Sequence, residues 1–133
     1  MNDFHNPVLL KRSIKGLKIK KSGFYVDSTY GGGGHSKEIL KNLGNEGKLI
    51  AFDQDDEAID KNIIRDERLI VMNNNFRYMK NCLNSAGINK IDGIIADLGI
   101  SSHQINTSRG FSFNSDQVLD MRMNKHSDFS AQE

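Results

Sequence analysis

The chain contains 133 residues, of which 18 are lysine or arginine and 17 are acidic, so its formal net charge is +1. This length predicts one domain with a single core, and the balanced charge neither favours nor excludes a nucleic-acid partner. The one cysteine, Cys82, excludes an internal disulfide. No apolar run approaches the ~20 residues that span a bilayer, and residues 1–6 lack a signal-peptide pattern, so we expect a cytoplasmic protein.

Apolar periodicity predicts helices alternating with strands as far as residue 98. After an entry helix over 8–17, we predict strands over 24–28, 48–53, 69–72 and 91–98, and helices over 36–43, 56–65 and 76–86. Gly44 and Gly87 are the expected C-terminal caps of the first and last of these three helices. The fourth strand is predicted to be fully buried. This alternation indicates an α/β fold with a parallel sheet and helices on both faces.

Four consecutive glycines, residues 31–34, separate the first strand from its helix. Because glycine has no Cβ, this backbone can approach a ligand closely and adopt positive φ without strain. About twenty residues later, Asp53 ends the second strand, where it is placed to accept hydrogen bonds from both hydroxyls of a ribose. The pattern predicts a site for a nucleoside-containing cofactor. Two alternatives stay open: a flexible glycine linker, and Asp53 as a helix cap, although the acids at 55–57 can also serve as that cap.

The glycine segment differs from the dinucleotide-binding pattern, because its sixth position is Ser36 rather than glycine or alanine. This difference favours S-adenosylmethionine, a nucleoside cofactor without phosphate, over a dinucleotide. Asp27, just before the glycines, suits the ammonium group of that cofactor. An NAD-dependent oxidoreductase on the same fold is therefore disfavoured.

Asp97 follows the fourth apolar strand at the carboxyl edge of the sheet, where ligands of open α/β sheets bind. We interpret it as an acceptor for an exocyclic amine that receives a methyl group, with a turn cap as the alternative. His35 and Phe76 could contact the ligand, but a helix cap and a core position are equally open to them. We interpret the basic residues of 11–21 as a solvated surface rather than a phosphate-binding one.

Six segments resemble one family, the bacterial enzymes that methylate cytosine N4 in 16S ribosomal RNA with S-adenosylmethionine. They are residues 5–10, 25–36, 52–55, 92–104, 109–113 and 119–123. The resemblance implies a Rossmann-like class I methyltransferase fold, S-adenosylmethionine as the cofactor, and 16S ribosomal RNA within the small ribosomal subunit as the partner.

The resemblance also implies roles for particular residues. Gly33, Gly34 and His35 would contact the cofactor, Asp53 its ribose and Phe76 its adenine. Asp97 and Gln104 would complete the pocket near the methyl group, with Asp97 as the catalytic residue. The scattered histidines and single cysteine indicate no metal site.

Members of that family are more than twice as long as this chain. We therefore expect residues 1–123 to be the cofactor-binding half of a methyltransferase domain and residues 124–133 to be a tail where the family's inserted helical domain would begin. A truncated, non-catalytic cofactor-binding fragment is the alternative to an active enzyme. The fourth strand would then present an open apolar edge over 92–98, and we expect self-association through it.

Overall fold

The computed structural model describes residues 7–98, 109–110, 121 and 123–127. Its four parallel strands are β1 Phe24–Asp27, β2 Lys48–Asp53, β3 Leu69–Asn73 and β4 Gly93–Ile95, in the order β3-β2-β1-β4. The chain moves outward from β1 to β3 and then returns to the other side of β1. This return creates a switch point between β1 and β4, the place where ligands of open α/β sheets bind.

Helices cover both faces of this sheet. They are α1 Pro7–Leu17, α2 Gly34–Asn42, α3 Asp56–Lys61, the 3-10 turn Phe76–Tyr78 and α4 Met79–Ser85. On one face, Ile14 of α1 and Ile39 of α2 pack against Tyr25. On the other face, Leu83 of α4 packs against Val26, because successive strand residues point to opposite sides. The predicted Rossmann-like α/β fold, a partial parallel sheet with helices on both faces, is confirmed.

The predicted ends of two helices are wrong. The helix predicted over 56–65 ends at Lys61, and the C-cap residue Asn62 has a non-helical φ of −125°; the hydroxyl of Tyr30 donates a hydrogen bond to its carbonyl. The helix predicted over 36–43 begins at Gly34 and ends at Asn42, and its C-cap is Leu43 instead of Gly44. The Gly44 N–H donates to the carbonyl of Lys21 at 2.8 Å and so belongs to a contact with another segment.

The bounds of the first three strands are confirmed, whereas the helix predicted over 76–86 is the 3-10 turn Phe76–Tyr78 followed by α4 Met79–Ser85. Strand β2 matches residue for residue, and β1 and β3 match to within one residue. Gly87 caps α4 with φ 75°, and its N–H donates to Asn84 while the N–H of Ile88 donates to Leu83. That pair of bonds is the glycine cap expected for a helix of this kind. Among the described residues, no helix has the length and apolar character needed to cross a membrane.

The fourth strand differs most from its prediction. It covers three residues, Gly93–Ile95, rather than 91–98, and it is not fully buried. Ile95 is buried, but Ile94 is 49% exposed and Leu98 is 71% exposed. The reason is its place in the sheet: β4 pairs only with β1 among the described strands, so its outer edge and one of its faces lack cover.

Candidate functional site

The glycine loop is a tight turn between β1 and α2. Gly31 and Gly33 have φ values of 52° and 77°, in the left-handed region that favours glycine. The N–H of Gly33 donates to the carbonyl of Tyr30 at 2.8 Å, and Gly33 is the N-cap of α2. A Cβ added to Gly32 or Gly34 would meet no atom within 4 Å. Two glycines therefore make the turn possible, and the other two border open space at the start of α2.

Asp53 is hydrogen-bonded to this loop. Its Oδ2 accepts from the N–H of Gly31 at 2.7 Å, and its Oδ1 accepts from the N–H of Asp55 at 2.9 Å. Partial burial raises the pKa of the Asp53 carboxyl, and these N–H donors oppose that rise. Each carboxylate oxygen has a second lone pair, so the group retains acceptor capacity for ligand hydroxyls. The glycine loop and the acid predicted to act together are joined in one hydrogen-bonded unit.

The N-cap residue of α3 is Asp55, one of the acids at 55–57 that the sequence offers for this role. Its Oδ1 accepts from the N–H of Glu57 at 3.1 Å. Asp53 therefore does not cap α3, and the alternative interpretation of that residue is wrong. It lies two residues before the cap, at the carboxyl end of β2.

Asp27 is buried, with none of its surface exposed. Its Oδ2 accepts from the hydroxyl of Ser36 at 2.6 Å, and its Oδ1 accepts from the N–H of Thr29 at 3.1 Å. Burial raises the pKa of the Asp27 carboxyl, against the effect of these two hydrogen bonds. These contacts tie β1 to α2 beneath the glycine loop. Contact between Asp27 and a cofactor ammonium group stays a prediction.

Asp97 lies two residues beyond β4, beside the end of β1. Its backbone N–H donates to the hydroxyl oxygen of Thr29 at 2.7 Å, and two residues earlier the carbonyl of Ile95 accepts from both the N–H and the hydroxyl of Ser28 at 2.9 Å. The side chain itself is exposed, and its carboxylate accepts no hydrogen bond from the described residues. Asp97 is thus held by its backbone with a carboxylate open to a partner.

Phe76 is 45% exposed at the start of the 3-10 turn, so it is not a core residue. The preceding Asn75 caps that turn and donates from Nδ2 to Gln54 Oε1 at 3.1 Å, which joins the turn to the segment after Asp53. His35 is the second residue of α2 and is half-buried. Gln104 lies outside the described residues. The basic residues between 11 and 21 are all exposed, as a solvated surface requires.

One feature of this region was missed from the sequence. Arg109 pairs with Asp55 and Glu57, close to Asp53 in the chain. Its position at the start of the 109–113 segment, one of the six that carry the resemblance, was the available signal. The described residues contain no group of three or more potential metal ligands.

Comparison with known proteins assigns the family. The family model of the MraW methylases matches residues 2–133. The chain belongs to the MraW methylase family. The relatives of this MraW-family chain include two proteins named ribosomal RNA small subunit methyltransferase H. The protein from Christiangramia forsetii is 57% identical over 132 residues, which are 98% of this chain and 43% of that protein. The protein from Flavobacterium johnsoniae is 55% identical over 130 residues, 97% of this chain and 43% of its own length.

The MraW-family chain thus spans less than half the length of the relatives that it matches. Among solved structures, a Clostridium thermocellum protein described as an rRNA methylase aligns with 54% of this chain and 45% of its own. The identity is 26% and the TM-score is 0.47. The fold class rests on the strand order and the helix placement.

Proposed function

We propose that this chain forms the S-adenosylmethionine-binding part of an enzyme that methylates the N4 amine of a cytidine in 16S ribosomal RNA. The observation that carries the proposal is the 2.7 Å hydrogen bond between the Gly31 N–H and Asp53 Oδ2, because it joins the glycine loop and the acid at the carboxyl edge of the central strands. Membership of the MraW methylase family and the names of its relatives support the reaction and the RNA substrate.

The residues present fit a nucleoside cofactor. A Cβ at Gly32 or Gly34 would meet no atom of the described residues within 4 Å, so no described side chain lies against the loop backbone at these two positions. Asp53 offers free lone pairs to ribose hydroxyls, and the half-exposed ring of Phe76 offers a face to adenine. Gly33, Gly34, His35, Asp97, Gln104 and Asp27 complete the proposed set of contacts.

The chemistry asked of the protein is mainly positioning. When bound, S-adenosylmethionine supplies a methyl group made electrophilic by its positively charged sulfur. Asp97 accepts a hydrogen bond from one N–H of the cytidine amine, which turns the nitrogen lone pair out of conjugation with the ring and towards that methyl group. Asp97 then accepts the proton that the amine loses after gaining the methyl group. The cytidine has to leave its base stack to reach this edge of the sheet.

Calorimetric titration with S-adenosylmethionine, with NADH as the control ligand, tests the cofactor proposal. We expect saturable binding of the first ligand only. Asp53→Ala should weaken binding about tenfold to a hundredfold, since charge-assisted hydrogen bonds to the ribose are lost. The matched control is Asp60→Ala, an exposed acid of α3, which should bind as the wild type does. Equal loss in both variants, or binding of NADH, would contradict the proposal.

Transfer of labelled methyl from S-adenosylmethionine to small-subunit RNA separates the enzyme from a non-catalytic cofactor-binding fragment. Cofactor binding with labelled RNA supports the enzyme. Cofactor binding without labelled RNA supports the fragment. In the first case Asp97→Asn should lower transfer by a factor of about a hundred or more, well beyond any loss of cofactor affinity, because the amine loses its proton acceptor.

A further inference from the structure

Arg109 holds a buried ion pair beside the proposed ribose site. Its Nη1 lies 2.9 Å from Asp55 Oδ2, and its Nη2 donates to Asp55 Oδ1 at 3.2 Å. The Arg109 side chain is 8% exposed and that of Asp55 is fully buried. Nη2 also lies 2.8 Å from Glu57 Oε2, so one guanidinium bridges two acids at the start of α3. Two parallel bonds of this kind fix orientation as well as supply attraction.

The partner of this arginine is the residue that orients Asp53. The backbone N–H of Asp55 donates to Asp53 Oδ1 at 2.9 Å, while the N–H of Gly31 holds the other oxygen. Any shift of Asp55 therefore changes the direction of the Asp53 carboxylate. A buried carboxylate without its counter-charge draws in water or shifts its backbone, because leaving a charge unpaired in the interior is costly.

The same contact brings a distant segment to the loop after β2. Nη1 of Arg109 donates to the carbonyl of Met123 at 3.1 Å, and the N–H of Met121 donates to the carbonyl of Arg109. Lys125 forms an ion pair with Glu57, and Nε2 of His126 lies 3.4 Å from an Asp56 carboxylate oxygen. Arg109 is the buried member of this set, and the Lys125 and His126 contacts are exposed to solvent. Exposed pairs contribute little, so the interaction depends chiefly on Arg109.

We propose that Arg109 is a positioning residue for the cofactor ribose, acting by clamping Asp55 so that the Asp55 N–H keeps the Asp53 carboxylate in its binding orientation. This inference rests on the proposed function, because it assigns a ribose to Asp53. Arg109 itself need not touch the cofactor.

A titration series with two ligands tests this role: S-adenosylhomocysteine and its analogue lacking both ribose hydroxyls. The wild type should bind S-adenosylhomocysteine more tightly than the analogue, by a factor of about ten or more. In Arg109→Ala this preference should fall to about threefold or less, because Asp53 is misdirected. A general structural defect would instead weaken both ligands by the same factor and keep the preference. Arg65→Ala, an exposed arginine beyond α3, is the control and should keep the wild-type preference.

A second variant keeps the test decisive if Arg109→Ala fails to fold. Arg109→Ala combined with Asp55→Asn removes the buried charge that Arg109 balances and retains a good helix N-cap. We expect this double variant to regain stability in thermal unfolding but to retain the reduced ribose preference. Recovery of the preference would overturn the proposal, since Arg109 would then only neutralise Asp55. Failure of the wild type to bind either ligand would overturn the proposed function as well, whereas wild-type binding with an unchanged preference in Arg109→Ala would overturn only this inference.

Discussion

Asp27 and Asp97 lie at the carboxyl ends of two paired strands, β1 and β4, and yet their surroundings are opposite. Asp27 is fully buried and accepts hydrogen bonds on both carboxylate oxygens. Asp97 is exposed, and among the described residues its one hydrogen-bond partner is Thr29, which accepts from its backbone N–H. The central strand is covered on both faces, whereas β4 is covered on one. The acid in the interior of the sheet thus holds the loop through both carboxylate oxygens, whereas the carboxylate of the acid at the sheet edge is exposed.

Removing the two carboxylates should have very different effects on stability. Asp27→Ala should lower the free energy of unfolding by about 2–4 kcal/mol, because the Ser36 hydroxyl and the Thr29 N–H lose their acceptor in a buried site. Asp97→Ala should change it by about 0.5 kcal/mol or less, as expected for an exposed side chain. Urea unfolding of both variants measures this. Equal costs would remove the distinction between the buried and the exposed acid.

Two neighbouring glycines of the loop after β1 extend the comparison to the backbone near Asp27. Gly33→Ala should cost about 1–2 kcal/mol, because alanine is strained at φ 77° and its Cβ would lie 3.1 Å from Ile64 Cδ1. Gly34→Ala is the control: its Cβ would meet nothing within 4 Å, and alanine favours a helix, so stability should stay equal or rise slightly. Thermal unfolding of the two variants checks the stability. If Gly34→Ala proved the more damaging substitution, the left-handed turn would not be what the loop depends on.

The exposed residues of β4 lead to a prediction about self-association. We expect the chain to self-associate through the β4 region, and Ile94→Lys should weaken that association about tenfold by placing a charge on an edge strand. Ile63→Lys is the matched control, since Ile63 is also an exposed isoleucine but lies outside the sheet. Light scattering and sedimentation over a concentration series measure the effect. A monodisperse wild-type monomer at high concentration would contradict the expectation.

The smallest expected effect is a pH dependence that belongs to Asp27. Burial raises the pKa of this carboxyl above its ordinary value of 3.8, so the folded state binds the proton more tightly than the unfolded state does. The Asp27 contribution to stability is therefore greatest below about pH 4 and falls as the pH rises through the raised pKa.

Asp27→Asn supplies the reference for this measurement. Asparagine can accept from the Thr29 N–H and donate to the Ser36 oxygen, so both contacts persist without a titrating group. The unfolding free energy of the wild type relative to that of the variant should thus fall as the pH rises above about 4, as followed by urea unfolding at several pH values. A difference that rises with pH would mean that the folded protein favours the charged carboxylate.

The same variant tests the ammonium contact, because loss of the charge should weaken cofactor binding only if Asp27 faces that group.

The amino-acid sequence by itself determined the alternation of helices and strands, the turn of the glycine loop and the place of Asp53 at the end of β2. These features follow from local patterns: apolar residues at strand or helix spacing, and glycines where φ is positive. The cap at Asp55 and the glycine at the end of α4 are equally local, because each bonds to backbone within a few residues.

Only the tertiary structure decided the contact of Tyr30 with the C-cap of α3, the burial of Asp27, the exposure of β4 and the ion pair of Arg109. Tyr30 reaches Asn62 across 32 positions of the chain, and Arg109 reaches Asp55 across 54. β4 is exposed because of its place at the edge of the sheet, although its residues are as apolar as those of a central strand. The periodicity of a sequence indicates which side of an element is apolar. Residues far apart in the chain meet only after the sheet has assembled, and the order of its strands determines which strands are covered.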